Sequence, residues 1–318
     1  MSRKKTHKTF EEQIQLLQKR GLEIPLKTEA IHTLQTISYY RLTSYRFPFV
    51  LENKETYKSN TTFKNLANLY HIDNIYKMYL YTLLQYIEVA IKTQVMHYFS
   101  ENSPYFYYQN SNFQLPKNEK TKEWFKNTFL PSIKTSIKNL DNTHIKYFAE
   151  KHDKKKECKS GKPYNKCSCY PPIWIAVETL TFGQTINIYK YYSSQEQKLI
   201  ICKFFKLNNI NPFLDCLSEL KIIRNLVAHH DIILNRKSFP KSTTIGILSS
   251  LYDTPIRKNY EETYLPYFLL IKHFVEIVLA KNDYIAEFYK QFLELSKQNK
   301  KYLSLEKLDN KYFEFIKK

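Results

Sequence analysis

Hydrophobic residues recur at helical spacing along most of the chain. In the longest such stretch, from Phe63 to about Phe99, apolar residues fall three or four positions apart, which predicts one amphipathic helix with a single buried stripe. Charged residues lie on or beside that stripe, and we interpret them as solvated flanks with a structural role: Asp73, Lys77, Glu88 and Lys92. Similar but shorter patterns predict further helices, and so an all-α fold, at Thr9–Arg20, Pro25–Ile37, Ile173–Tyr192, Pro212–His230, Tyr264–Ala280 and Tyr284–Gln298.

Glycine is scarce, and the polar segments are unevenly placed. Only 4 glycines occur in 318 residues, so Gly-rich phosphate loops and tight two-residue hairpins lack the residue that their positive φ angles need. Polar residues with turn character from Asn53 to Thr62 separate a small N-terminal helical and aromatic unit, residues 1–62, from a larger helical domain, residues 63–318. We expect a basic insertion in the larger domain at about residues 100–170, since residues 115–166 carry 14 lysines against 6 acidic residues.

The chain carries a large positive charge. Its 49 Lys and Arg residues against 30 Asp and Glu residues give a formal net charge of +19, which attracts polyanions such as nucleic acid. A genome biased toward lysine and tyrosine codons would also raise the lysine count, but it would not by itself lower the number of acidic residues. The 27 tyrosines and 21 phenylalanines offer faces on which unpaired bases can stack, although most should be core. We therefore expect RNA as a partner.

We predict a cytoplasmic location with no membrane span, no bound metal and no cofactor. The basic N-terminus is followed by no apolar stretch, and no run approaches the roughly 20 apolar residues of a membrane span. The five cysteines should then be reduced. Four residues of the basic insertion have the right chemistry for zinc, but their spacing fits no standard zinc knuckle, so we prefer free thiols to a metal site: His152, Cys158, Cys167 and Cys169.

The end of the predicted helix Pro212–His230 holds the most informative polar residues. Asn225 and His229 are four positions apart and share a helix face, whereas Arg224 lies about 140° around the helix from His229 and needs its long side chain, or a loosened last turn, to converge with it. A histidine can move a proton at a ribose 2′-hydroxyl or a leaving 5′-oxygen, and an arginine can stabilise a phosphate's charge. An asparagine can orient the histidine or a phosphate oxygen. These types suit metal-free RNA cleavage that leaves a 2′,3′-cyclic phosphate, although a histidine at a helix end often only caps carbonyl groups.

Four ordered blocks of the sequence resemble the abortive-infection (Abi) phage-resistance proteins of the HEPN superfamily. The block Arg224–His230, continued by Asn235 and Arg236, is similar to that family's signature, which contains the Arg-x4–6-His motif of HEPN proteins. The match covers roughly residues 9–236, and four blocks in order are far more specific than one motif. The three earlier blocks are Thr9–Gly21 with Ile37–Phe49, Leu69–Asp73 with Ile87–Lys92, and Pro171–Gly183.

The resemblance implies a HEPN-type helical bundle, a role in antiphage defence and a nuclease site where two motifs meet across a homodimer. It carries catalytic roles onto Arg224 and His229, with Asn225 in support. Some relatives pair with a structured non-coding RNA, so such an RNA is an expected partner. Two positions depart from the family's pattern: Ile72 stands where Phe is usual, and Ile232 stands where Arg is common, which would thin the positive charge around the scissile phosphate.

Several further residues are candidates for the site. His230 and Glu178 could support the catalytic residues, although a pairing that locks helix packing is the preferred role for Glu178. Glu88 and Lys92 fit an ordinary i, i+4 ion pair. In the aromatic block, Tyr39, Tyr40 and Tyr45 suit either RNA stacking or an N-terminal core, and we favour the core. We assign RNA contacts to six basic residues, Arg41, Arg46, Lys154, Lys155, Lys156 and Arg236.

Two functions fit these observations, and a third possibility, a toxin silenced by its RNA partner, combines both. The leading hypothesis is an RNA-binding HEPN endoribonuclease that disables phage or host RNA in abortive infection. The alternative is a non-catalytic RNA-binding scaffold of a defence ribonucleoprotein, in which the same motif binds phosphate but cleaves nothing. The net charge supports RNA binding in both cases and does not separate them.

Overall fold

α-Helices dominate the chain throughout the computed structural model, which describes residues 6–53, 55–115, 127, 129–139, 143–155, 169–279 and 285–314. Within those ranges there are 14 α-helices, six short 3-10 turns and no β-strand, so the predicted all-α fold is confirmed. The helices are α1 (Phe10–Lys19), α2 (Lys27–Thr36), α3 (Tyr39–Thr43), α4 (Phe63–Phe99), α5 (Leu130–Asn139), α6 (Thr143–Lys155), α7 (Ile173–Ala176), α8 (Phe182–Tyr191), α9 (Gln195–Phe204), α10 (Ile210–Ala228), α11 (Ile245–Leu251), α12 (Leu265–Leu279), α13 (Ala286–Gln298) and α14 (Lys300–Leu303).

The N-terminal helices enclose a small core of their own. Thr9 and Glu12 form a capping box that starts α1, and Gly21, at φ +87°, turns the chain where the helix has ended. The buried side chains of this core come from α1 to α3 and the segments around them, but Phe63 and Leu66 of α4 complete it. The first turn of α4 therefore belongs to this small core, whereas the buried α4 residues from Leu69 onward belong to the larger one. The domain boundary at residue 62 stays a prediction.

Helix α4 is the central element of the larger core. It runs from Phe63 to Phe99, the bounds that the hydrophobic pattern predicts, and it packs against α8, α9, α10, α12 and α13. Its buried stripe includes Tyr76, Leu80 and Ile87, each at most 1% exposed. Because α4 packs against so many helices, its side chains can contact several other elements of the fold.

One predicted helix is divided in two. The pattern Ile173–Tyr192 becomes α7, a 3-10 turn and then α8, because Leu180 is extended and Thr181 starts a new helix through a capping box with Gln184. The carbonyl of Leu180 that this break frees accepts a hydrogen bond from Lys92 of α4 at 2.8 Å. The interruption therefore provides a contact between two helices, which an unbroken helix would not offer.

Three of the four charged residues predicted as solvated flanks of α4 are buried, so that interpretation was wrong for them, while Lys92 is partly exposed. Asp73 is fully buried, Lys77 is 5% exposed and Glu88 is 8% exposed. Charged groups are buried in proteins when they are paired and hydrogen-bonded, so each of these needs partners from elsewhere in the fold.

The described helices include none that is both long and apolar enough to cross a bilayer.

Candidate active site at the end of α10

Helix α10 ends in a turn that exposes two adjacent histidines, His229 and His230, and we call it the histidine turn. The N–H of His230 donates to the Val227 carbonyl at 3.1 Å, and the N–H of Asp231 donates to the Leu226 carbonyl at 2.9 Å, which is the Schellman arrangement of a helix C-terminus. This arrangement requires a left-handed residue, and His230 adopts it at φ +57°. A residue with a Cβ pays about 1–2 kcal/mol for that conformation. Both His229 and His230 are exposed as a result.

The N-terminal unit and α4 hold this turn from outside. The Arg41 guanidinium donates to the His230 carbonyl at 3.1 Å, and the Lys77 ammonium lies 3.4 Å from the Asp231 carbonyl. These two carbonyls follow the helix end, where no further helical partner is available to them. The position of the His229 backbone therefore depends on cations from two distant segments of the chain.

Asp73 connects the same three parts of the molecule. Its Oδ1 accepts the N–H groups of Ile233 at 3.2 Å and Leu234 at 2.7 Å, just after the histidine turn. Its Oδ2 accepts the Tyr45 hydroxyl at 2.6 Å and pairs with Lys77 at 2.9 Å. Burial, and then the nearby Asp73 carboxylate, raise the pKa of Tyr45 far above its usual range, so the phenol stays a hydrogen-bond donor.

Arg224 is held by Glu88, which sequence reasoning paired only with Lys92. The Arg224 Nε donates to Glu88 Oε2 at 3.1 Å, and Lys92 contacts Glu88 Oε1 at 3.0 Å. The ion pair with Lys92 is thus present, but the same carboxylate also orients the predicted catalytic arginine. Arg224 Nη1 donates to Asn225 Oδ1 at 3.4 Å, and the Arg224 side chain keeps 31% of its surface exposed. This arrangement fixes the guanidinium through Nε and Nη1, and the exposed part of the side chain stays accessible to an anion.

Three shallow surface cavities surround the end of α10. The arginine groove, of about 440 Å³, is lined by Arg224, Glu88 and the outer face of α4. The histidine groove, of about 430 Å³, lies between α3 and the histidine turn and is lined by His229, His230 and Arg41. A depression of about 430 Å³ connects them, since it shares Tyr81 with the first groove and His230 with the second.

The predicted catalytic residues therefore lie on one surface but in different grooves of the single chain. Arg224 lines the arginine groove and His229 lines the histidine groove. The two residues point into different grooves because they lie about 140° apart around the helix axis, given the ~100° rotation per residue. Asn225 contacts Arg224, so within one chain the asparagine is associated with the arginine. A linkage that contacts both residues would have to bridge the depression or meet a second chain.

One other candidate, Arg236, lies in the loop just after the histidine turn. Arg236 donates to the carbonyls of Ser238 at 2.9 Å and Ile232 at 3.4 Å, and it pairs with Asp231 at 2.8 Å. Burial raises the pKa of Asp231, but the hydrogen bond from Arg236 and the other favourable contacts outweigh it, so the pKa is lower than usual. Arg236 thus stabilises the loop after the motif, and its contact with RNA stays a prediction.

The remaining candidates lie on other elements or are only partly described. Glu178 is exposed in a 3-10 turn, and among the described residues it has no hydrogen bond or ion pair with Arg224, Asn225 or His229. Arg46 lies in the N-terminal unit, where it donates to the Thr43 carbonyl at 3.3 Å. Lys154 and Lys155 are at the end of α6, whereas Lys156 lies outside the described residues.

A zinc site gains no support from the residues that can be described. His152 is buried on α6 beside Asp153, and Cys169 is half-buried. Cys158 and Cys167 lie outside the described residues. Across the described ranges, no group of three or more His, Cys, Asp or Glu residues is arranged to hold a metal ion.

Sequence reasoning missed Glu88, Asp73 and Lys77 as parts of this site. The available signal was their position: each falls in or next to the apolar stripe of α4, where a charge is costly unless it is paired. The preference for a core position was wrong for Tyr40, which is 69% exposed and lines the histidine groove, whereas Tyr45 is buried as expected. The spacing alone could not distinguish these two tyrosines.

The fold and site define an all-α protein with an exposed Arg-Asn-x3-His helix end that an N-terminal helical unit supports. The chain matches the family model described as Abi-like protein over residues 32–235, which is more than half of its length. It therefore belongs to the Abi-like family, and that membership indicates a role in phage abortive infection. Comparison with curated proteins and with solved structures gives no match.

Proposed function

We propose that this protein is an RNA-binding endoribonuclease of the HEPN type that acts in abortive infection, without a metal ion. The observation that carries the proposal is the helix end of α10, where an exposed His229 and a partly exposed, carboxylate-oriented Arg224 lie on one surface with Asn225. The matched family region, residues 32–235, includes this motif and the N-terminal and α4 residues that hold it.

The chemistry needs only a proton carrier and a cation. The imidazole of His229 takes the proton of a ribose 2′-hydroxyl while water protonates the leaving 5′-oxygen, or it protonates that oxygen while water takes the 2′-hydroxyl proton. The 2′-oxygen attacks phosphorus, the bond to the 5′-oxygen breaks, and the products are a 2′,3′-cyclic phosphate and a 5′-hydroxyl. Arg224 stabilises the additional negative charge on the phosphate, and Glu88 keeps its guanidinium in one orientation.

A homodimer would bring the two halves of such a site together. Within one chain Arg224 and His229 line different grooves, so His229 of a second copy could complete the arginine groove. Four large apolar side chains are exposed on the face of α4 beside that groove, which suits contact with another protein surface. They are Ile75 at 48%, Met78 at 55%, Tyr86 at 40% and Val89 at 60%, and the polar Gln85 is exposed among them.

Replacement of the histidine tests the nuclease. His229→Ala should abolish cleavage of single-stranded RNA in the presence of a chelator, while helical content by circular dichroism and RNA binding persist. His97→Ala, which removes another exposed histidine far along α4, is the matched control and should cleave like wild type. Mass spectrometry of the wild-type products should find 2′,3′-cyclic phosphate ends. Equal cleavage by His229→Ala and wild type would refute the assignment.

The alternative is a non-catalytic RNA-binding scaffold that holds a structured non-coding RNA. The separation of Arg224 and His229 favours it, as does the partial neutralisation of Arg224 by Glu88. The net charge of +19 supports RNA binding in either case. Sequencing of the nucleic acid that copurifies separates the two functions, because a scaffold should retain one intact RNA of defined length and a nuclease should yield trimmed fragments.

A further inference from the structure

The histidine groove has walls from two separate parts of the chain. One wall is α3 with the residue before it and the residue after it, Ser38 and Ser44, and the other is the histidine turn. Its volume of about 430 Å³ falls in the range of pockets for small ligands, about 300–1,000 Å³. The predicted catalytic His229 lies in its wall, so whatever occupies the groove lies next to that imidazole.

The charges in this groove favour an anion. Arg41 is exposed, and its side chain donates one hydrogen bond, to the His230 carbonyl, so most of its donors remain available to a ligand. The one carboxylate among the residues that line the groove belongs to Asp231, which is paired with Arg236 at 2.8 Å. A phosphate in the groove would therefore meet a cation and two exposed histidines rather than an unpaired acid.

Tyr40 adds an aromatic surface to the same groove. Tyr40 is 69% exposed, more than any other large hydrophobic residue among the described residues. It contacts the Tyr39 ring edge to face, with centroids 5.6 Å apart and planes at 89°. Nucleic acid bases stack on exposed aromatic rings. A base and its phosphate thus have complementary partners in one cavity.

We propose that the histidine groove is a nucleotide subsite for single-stranded RNA, next to the linkage on which His229 acts. Tyr40 stacks on the base, and Arg41 contacts the phosphate while it also holds the histidine turn through the His230 carbonyl. The proposal rests on the proposed function for its choice of RNA. It goes further in naming the side chain that binds a base, and it gives α3 a direct role in substrate binding.

Binding measured on an inactive protein tests this subsite. In the His229→Ala background, fluorescence anisotropy with a fluorescein-labelled adenosine hexamer gives the affinity at fixed salt without cleavage. Removal of one stacking ring costs about 1–3 kcal/mol, so Tyr40→Ala should weaken binding about 5- to 150-fold, and Tyr40→Phe should bind like the parent. The matched control is Tyr147→Ala, since Tyr147 is 66% exposed on α6 and belongs to none of the three cavities.

The outcomes separate the subsite from the nuclease. Unchanged binding by Tyr40→Ala, or equal weakening by Tyr40→Ala and Tyr147→Ala, overturns the subsite. A shift of the monomer–dimer equilibrium in sedimentation by Tyr40→Ala, with unchanged hexamer affinity, also overturns it and assigns the groove to a second copy. If wild type cleaves no RNA but hexamer binding still depends on Tyr40, the nuclease proposal fails and the subsite stands. If wild type cleaves RNA but hexamer binding does not depend on Tyr40, the nuclease proposal stands and the subsite fails.

Discussion

The substitution Asp73→Ala should destabilise the protein more than almost any other single change. Asp73 is fully buried on α4, and its carboxylate accepts from Tyr45, Lys77 and the N–H groups of Ile233 and Leu234. Alanine removes every one of these acceptors and opens no route for water. The perturbation therefore acts on the N-terminal unit, on α4 and on the loop after the histidine turn at once.

The expected magnitude follows from the groups that lose their partners. Lys77 is 5% exposed, and removal of one member of a buried ion pair costs about 3–5 kcal/mol. Each buried N–H left without an acceptor, at Ile233 and Leu234, costs a further ~1–3 kcal/mol. These contributions overlap because the groups are neighbours, so we expect a loss of about 5 kcal/mol in the free energy of unfolding rather than the full sum.

Urea denaturation followed by far-ultraviolet circular dichroism measures this loss. Asp215→Ala is the matched control, because Asp215 is exposed on α10, and it should change the free energy of unfolding by less than about 0.5 kcal/mol. Asp73→Asn keeps an acceptor for the two N–H groups but loses the charge, so its stability should fall between Asp73→Ala and wild type. An Asp73→Ala protein within about 1 kcal/mol of wild type would refute the role of Asp73 as the common partner.

Two further predictions concern the histidine turn. Because His230 adopts φ +57°, His230→Gly should raise the free energy of unfolding by about 1 kcal/mol in thermal denaturation, and His230→Ala should give no such gain. A His230→Gly protein less stable than wild type would contradict this, because it would show that the positive φ of His230 does not limit stability. The pKa of Asp231 is lowered in the folded protein, so its ionised form stabilises the fold. The advantage of wild type over Asp231→Asn should be present above the unfolded pKa of about 3.9 and disappear as the pH falls below it, and an advantage that grows in acid would contradict this sign.

The elements that the sequence predicted well are those with a long periodic pattern. Helix α4 has the predicted bounds, and α10, α12 and α13 lie within two residues of the predicted ones at each end. Local spacing is sufficient there because every turn of the helix repeats the same choice of buried face. The interruption at Leu180 and Thr181 was missed, since a capping box inside an apolar pattern changes the backbone without changing the period.

The site was predicted as a set of residue types and not as an arrangement. The motif residues Arg224, Asn225 and His229 follow from the sequence, and so does the membership of an Abi-like family. Their immediate partners do not, because Glu88 is 136 positions from Arg224 and Arg41 is 189 positions from the His230 carbonyl that it binds. No spacing rule reaches across such separations.

By itself, the sequence determined the helical class, the long central helix, the positive charge and the helix end that carries the polar motif. These properties depend on composition and on contacts between near neighbours in the chain. Only the tertiary structure decided that Asp73, Lys77 and Glu88 are buried with distant partners, and that Arg224 and His229 line different grooves. The physical reason is that the burial of a charge and the shape of a groove depend on which segments pack together, and that packing is a property of the whole chain.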